Sequence, residues 1–538
     1  MRCDVRNRQK VESDPTLCAI GWGAYLIVAA VVVACVGGAT AQAAPSAMQN
    51  FAMHCASCHG ADRLGGTGPA LLPENLERLR RPAAVDTIAG GRTATQMPAF
   101  GDRLSKDEIE AIVAYVYTAP AVKPVWGEAE IRATRVVYHA QGSLPDRPQF
   151  NADPMNLFIV VEAGDHHASI VDGDKLERLT RFPTRYALHG GPKFTPDGRY
   201  VFFASRDGWV TKYDLWNLTT VAEVRAGINT RNIAVSGDGK WVIAGNYLPH
   251  TLVVLDARDL SVVRIIAVAD KGGKSSRVSA VYDAPPRRSF IVALKDIAEV
   301  WELTYDPKAP PVYEGYVHDY RMGEGVAAQG PFPVRRIVLD DVLDDFFFDQ
   351  KYDHLIGASR EAGKGQVVNL NVRRKIATVE LPGLPHLGSG ITWEWNGKPV
   401  LATTNLRDAI VSVIDMKEWK TVGEIRTSGP GFFLRSHEAT PYAWVDGMNG
   451  PGRDTLQVID KRTLAIVKEL TPAPGKTAAH IEFDRYGKYA LASIWENDGA
   501  IVVYDAATFA EVKRIPANKP VGKYNVWNKV TGSAGTSH

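Results

Sequence analysis

Asp197-Gly198-Arg199-Tyr200-Val201-Phe202-Phe203, running on to Asp214, decides the fold, because the chain repeats the phrase. Asp238-Gly239-Lys240-Trp241-Val242-Ile243 leads to Asp256, and Arg485-Tyr486-Gly487-Lys488-Tyr489-Ala490 leads to Asp505. Each copy is a polar turn, a β-branched and aromatic strand, a second alternating strand, then an acidic residue. Comparable strand-end anchors are Asp172, Asp214, Asp256, Glu302, Asn369, Asp415, Asp460 and Asp505, spaced 42, 42, 46, 67, 46, 45 and 45 residues apart. Repeats of this length are four strands each, and such units close radially as propeller blades. A long sandwich or a solenoid is the alternative, but no segment reads as a solenoid cap. The pattern predicts an all-β eight-bladed propeller over 134–538, with an insertion in the fifth blade. Either Tyr524-Asn525-Val526-Trp527 or Arg135-Val136-Val137-Tyr138 supplies the strand that closes the ring.

Working back from the repeat, residues 122–133 read as a linker and 44–121 as a separate small helical domain. The 538 residues carry 62 basic and 60 acidic side chains, a net charge of +2. That balance implies neither a nucleic-acid surface nor a polybasic membrane patch. Residues 1–43 read as a signal peptide: Arg2, Arg6, Arg8 and Lys10, an apolar run from Cys18 to Gly38, then Ala41-Gln42-Ala43. The apolar run is long enough that an uncleaved membrane anchor is the alternative. Either way an exported, periplasmic protein is expected. Of five cysteines, three lie in this leader and only Cys55 and Cys58 follow it, which leaves no disulfide framework.

Those two belong to Cys55-Ala56-Ser57-Cys58-His59, a C-x-x-C-H motif. Two thiols a helical turn apart add to the two vinyl groups on one haem edge, and the next histidine lies under the iron. A thioredoxin-type pair does not need His59, and a zinc site needs further ligands that do not follow. The reading is one covalent haem c with His59 as an iron ligand. Met53 is too near the motif to reach the other haem face, so Met97, in Thr95-Gln96-Met97-Pro98, is the expected sixth ligand. The turn Gly65-Gly66-Thr67-Gly68-Pro69 is expected to offer the Pro69 carbonyl to the second ring nitrogen of His59. A helix runs into the motif from about Ala47. Another starts at the capping box Ser105-Lys106-Asp107-Glu108 and buries Ile109, Ile112, Val113 and Val116. This domain resembles a class I cytochrome c.

A haem c domain moves single electrons but offers no substrate site, so the propeller is expected to hold a redox partner group. Among the 13 histidines, His189, His386, His437 and His480 fall in loops that lead into blades. Several converging on one mouth suit a ligand that none alone would hold. Arg206 and Arg231 read as matching positions of successive blades, and guanidinium forks suit a carboxylate-rich ligand.

A haem c domain joined to such a propeller resembles the cytochrome cd1 nitrite reductase family. The resembling stretches include Tyr213-Asp214-Leu215-Trp216, Ile243-Ala244-Gly245-Asn246-Tyr247 and Gly522-Lys523-Tyr524-Asn525-Val526. The resemblance implies non-covalent haem d1, with His189 as proximal iron ligand and Arg206, Arg231 and Tyr247 holding the cofactor. One of the reductase's two distal histidines matches His386, whereas Asp344 stands at the other's place. An anionic side chain there would repel nitrite. The stretches 344–349, 385–393 and Ala479-His480 instead resemble the dihydro-haem d1 dehydrogenase branch. There the resemblance makes His480 the distal iron ligand, and His386 and Tyr524 the acid/base groups. It leaves His437 as a structural or supporting residue. It implies oxidation of a propionate of dihydro-haem d1 to acrylate, electrons leaving through haem c to a soluble periplasmic acceptor, and cytochrome cd1 nitrite reductase receiving the d1. Nitrite reduction to nitric oxide, or carriage of d1, are the alternatives.

Overall fold

The acidic residue closing each repeat is a turn device. Asp172 Oδ1 accepts from the backbone N–H groups of Asp174 (2.8 Å) and Lys175 (3.2 Å), and Asp415 Oδ1 from those of Lys417 (2.8 Å) and Glu418 (3.0 Å). Asn369 Oδ1 does the same for Asn371 and Val372. Such a side chain ends the third strand of a blade and starts the reversal into the fourth. Glu302 is the exception. It lies inside the strand Glu299–Thr304 and accepts from Arg287 Nε at 3.1 Å.

The computed structural model describes residues 45–76, 79–92, 97–188, 190–314, 326–328, 330–358 and 363–536. The leader reading, His189, Thr95 and Gln96 lie outside the described residues. Among the described residues, eight antiparallel sheets of four or five strands follow one another, seven of four strands and one of five. The first consists, from inside out, of Pro520–Asn525, Leu157–Glu162, His167–Asp172 and Glu177–Pro183. The chain's last strand therefore closes the ring, with Tyr524 opposite Ile159. Val136–Val137 instead extends the outer edge of the second blade by pairing with Thr219–Arg225. The insertion belongs to the fourth blade and not to the fifth. Its short pair Tyr313–Glu314 and Val326–Ala327 lies between the third strand Glu299–Thr304 and the fourth, Val334–Val338. Because the anchors mark third strands, the widened spacing opens before a fourth strand.

Apolar side chains pack between blades. Phe202, Val210 and Val224 of the second meet Ile233, Val242 and Leu255 of the third. Phe158, Val160 and Val171 of the first meet Leu491, Ile501 and Val503 of the eighth. Each blade thus buries its faces only when both neighbours are present. All inner strands run in the same sense. The segments leading into them and the connections between second and third strands therefore share one mouth of the channel.

The helical domain rests on that mouth. Ser46 and Ser105 cap the helices Ala47–His54 and Lys106–Val116, each in a capping box. Phe51, Ile88, Phe100, Ile109, Ile112 and Val113 form its core. Ala70 and Leu72 pack against Ile228 and Leu248 of the third blade, and Arg225 Nη2 donates to Leu64 O at 2.7 Å. The expected linker contains the helix Glu128–Thr134, which inserts Ile131 between the second and third blades. Among the described residues no helix is long and apolar enough to cross a membrane.

Candidate functional site at the propeller mouth

In the helical domain, Cys55 is half-buried and Cys58 exposed, both as free thiols. Burial, with Cys58 nearby, pushes the Cys55 thiol up to about 11. His59 Nδ1 lies 2.7 Å from Pro69 O, as the turn sequence predicts. A carbonyl only accepts, so Nδ1 carries the proton and Nε2 offers a lone pair. Burial holds the imidazole below the ordinary histidine range. A Cβ on Gly68 would stand 2.6 Å from His59 Cε1, so the ring fills the space glycine leaves. Met97 packs against the same core as Cys55 and Phe51. Met48 and Met53 are 62% and 60% exposed. These residues fit a covalently held haem c.

In the propeller, Lys193, Arg231, Tyr524 and His480 lie on inner strands. His386 and Phe432 lead into inner strands, and Arg206, Tyr247 and Lys295 end second strands or follow them. All belong to the mouth that the helical domain faces. The two arginines are not at matching blade positions: Arg206 follows a second strand, whereas Arg231 lies within the first strand of the next blade. They meet because both positions share this mouth.

The second, third and fourth blades supply a cationic wall. Tyr247 has the guanidinium of Arg206 and that of Arg277 5.8 Å from its ring centre and Lys295 Nζ at 5.3 Å. Burial would raise its hydroxyl, but Arg231, Lys295 and Arg206 outweigh that and bring it to about 8. Arg231 Nε donates to Ser279 O at 3.0 Å. Burial takes Lys193 down to about 8, against the pull of Asp345. Asp344, read from sequence as a repellent carboxylate, receives Lys295 Nζ at 2.8 Å. The pair is neutral and the wall as a whole is positive, so that argument against nitrite falls away.

Opposite stand the aromatic and imidazole groups. His386 Nδ1 lies 2.8 Å from Phe432 O, so Nδ1 is protonated and Nε2 is a proton acceptor. Burial holds this imidazole below the ordinary range, with Asp345 opposing. His480 has φ +52°, its ring centre lies 4.4 Å from Phe433 and 5.1 Å from Tyr524, and its Nε2 is buried with no protein partner. Lys523 holds it from behind: its N–H approaches His480 Nδ1 at 3.3 Å, and its Nζ donates to His480 O and, at 2.7 Å, to Ser493 Oγ. Burial, then Lys523 and Arg435, keep the ring neutral by holding it well below its ordinary range. The Tyr524 hydroxyl is pushed up to about 12, chiefly by burial, and stays protonated at neutral pH. Gly191, at φ +68°, touches that ring: a Cβ there would lie 2.9 Å from Tyr524 Cε1. Leu188 is bridged to Ser205, beside Arg206. His437 is elsewhere. It follows its inner strand, Leu434–Ser436, and so lies at the opposite mouth, where Nδ1 accepts from Ala439 N–H at 3.1 Å.

A buried imidazole nitrogen without a partner, facing a cationic wall, fits a metal-bearing ligand rich in carboxylates. Sequence reasoning missed Lys193, Arg277, Lys295, Phe432, Phe433 and Arg435. One signal was available: Phe203-Ala204-Ser205-Arg206-Asp207 and Val292-Ala293-Leu294-Lys295-Asp296 are the same blade position written twice.

A haem-binding helical domain seated on the cationic mouth of an eight-bladed propeller defines a two-domain cytochrome. A family model described as cytochrome D1 heme domain matches residues 152–315 and 326–529, and the chain belongs to that family. Residues 42–116 match a model described as cytochrome C oxidase, cbb3-type, subunit III. The chain is 54% identical to the dihydro-heme d1 dehydrogenase of Pseudomonas aeruginosa over 502 residues, 93% of this chain and 98% of that one. It is 25% identical to a nitrite reductase of Stutzerimonas stutzeri, over 96% of this chain and 98% of the relative. A solved structure of dihydro-heme d1 dehydrogenase NirN in complex with DHE superposes with a TM-score of 0.79 at 54% identity, covering 89% of this chain and 98% of that one.

Proposed function

We propose that this chain is a periplasmic dihydro-haem d1 dehydrogenase, an oxidoreductase that converts a propionate of bound dihydro-haem d1 to an acrylate. The observation that carries the reading is the tautomer of His386. Its Nδ1 proton is committed to Phe432 O, and its lowered basicity keeps Nε2 free to take a proton at neutral pH. Making a C=C bond from a CH2–CH2 unit releases two protons and two electrons. His386 takes one proton from the aliphatic carbon, the second is released to solvent water at the mouth, and Tyr524, protonated throughout, orients the substrate by hydrogen bonding.

Arg206, Arg231 and Tyr247 would hold the substrate's carboxylates, and His189 and His480 would ligate its iron. Ligation through His480 Nε2 requires the ring proton on Nδ1, so the 3.3 Å contact with Lys523 N–H opens on binding. Cys55 and Cys58 carry haem c and His59 and Met97 bind its iron. When bound, this haem supplies a one-electron exit towards a soluble acceptor. The product leaves for a recipient such as cytochrome cd1 nitrite reductase.

The test is anaerobic addition of dihydro-haem d1 to the purified haem c-loaded protein. The expected result is conversion of its absorption spectrum to that of haem d1, with two electrons delivered to added acceptor per molecule. Binding without spectral conversion would instead make the protein a d1 carrier. Nitrite turnover without conversion would make it a reductase.

A further inference from the structure

The aromatic groups of the mouth form a connected line that leads out of it. His386 lies 4.1 Å from Phe432, Phe432 lies 4.7 Å from Phe433, and Phe433 lies 4.4 Å from His480, all between ring centres. Phe433 then meets Trp495 edge-on at 6.1 Å. Trp495 is the first residue of the connection between the second and third strands of the eighth blade. Its Nε1 is buried without a hydrogen-bond partner. The next three residues, Glu496, Asn497 and Asp498, line a cavity together with Lys519 and with Gly90, Arg92 and Met97 of the helical domain. Both imidazoles of the proposed substrate site therefore converge on Phe433. From there Trp495 leads directly into Glu496, Asn497 and Asp498, which share a cavity with Met97, the residue expected to bind the haem c iron.

We infer that Trp495, joined to the site through Phe433, is the electron bridge between the substrate pocket and haem c. The inference rests on the dehydrogenase reading. Each oxidation sends two electrons across this bridge singly. Ferric haem c is the immediate oxidant and becomes ferrous, then passes each electron to a soluble one-electron acceptor. The two protons stay on the substrate side. A delocalised indole with an apolar phenyl ring beside it couples the two sites without storing charge.

The test uses haem c-loaded protein mixed anaerobically with dihydro-haem d1, following the appearance of ferrous haem c. Trp495→Leu is expected to slow the first electron by an order of magnitude or more, equivalent to at least about 1.4 kcal/mol of barrier. Trp495→Phe, which keeps an aromatic ring, retains most of the wild-type rate. Substrate affinity, the haem c midpoint potential and reduction of haem c by ascorbate should be unchanged in both variants. An unaltered rate in Trp495→Leu overturns the bridge, and so does equal loss in both variants, which would assign the effect to the indole N–H. Wild-type protein that binds substrate but never reduces haem c would instead overturn the dehydrogenase reading itself.

Discussion

At the scale of single residues, two histidines show how a neighbour's carbonyl sets chemistry. Pro69 O fixes His59 and Phe432 O fixes His386, each by taking the Nδ1 proton. His59 was legible because its motif and the following Gly-Pro turn lie within a dozen residues of each other. The partner of His386 lies 46 residues away in another blade, so no local pattern announces it. For the same reason Asp344 read as a bare charge, although Lys295 neutralises it from the preceding blade. His386→Gln removes the proton acceptor but keeps a side chain of similar reach. The expected outcome is unchanged affinity for dihydro-haem d1 with conversion slowed by roughly 10²-fold or more, the usual share of general base catalysis. The sign of the pH dependence follows from the lowered basicity. The wild-type rate should be level through neutral pH and fall only on acidification below the ordinary histidine range, as Nε2 becomes protonated. A stopped-flow pH series on the wild type and the variant checks both.

At the scale of elements, the sequence was most informative where one residue does one local job. The capping boxes and the strand-end acids are of that kind. Asp415 shows why the anchor recurs. Burial alone would raise its carboxyl, yet the Lys417 and Glu418 N–H groups and Lys398 hold it down to about 2. A depressed carboxyl stabilises above the unfolded carboxylate range, and that contribution disappears as pH falls towards 2. Asp415→Ala leaves two turn N–H groups without their acceptor and should cost about 1–3 kcal/mol in chemical denaturation at neutral pH. Asp415→Asn should recover most of it, because Asn369 performs the same capping in the fifth blade. What the repeat did not reveal was strand phase. Glu302 reads as an anchor, the widened spacing reads as an insertion one blade late, and Arg206 and Arg231 read as equivalent positions. An apolar run shows where a strand is but not whether it is the first or second strand of its blade.

At the scale of the molecule, the site exists only as a closed ring. Tyr524 comes from the first blade, Arg206 from the second, Arg231 and Tyr247 from the third and Lys295 from the fourth. Asp345 belongs to the fifth, His386 to the sixth, Phe433 to the seventh and His480 to the eighth. No stretch of sequence contains more than a fragment of this list. The inner strand Pro520–Asn525 joins the end of the chain to its first blade, and Val526 packs among Leu157, Ile159 and Val201. Deleting 520–538 would leave Leu157–Glu162 as a bare inner edge and break the packing of the first blade against both neighbours. The helical domain keeps its own core, built around Phe51, Phe100 and Ile112. The truncated protein should therefore still attach haem c and show its normal absorption bands, while its propeller loses cooperative thermal unfolding and all affinity for haem d1. Retained d1 binding in this truncation would mean that seven intact blades hold the ligand without Tyr524 and the Lys523 clamp on His480. The ring would then be a scaffold for a local site, and not the device that assembles it.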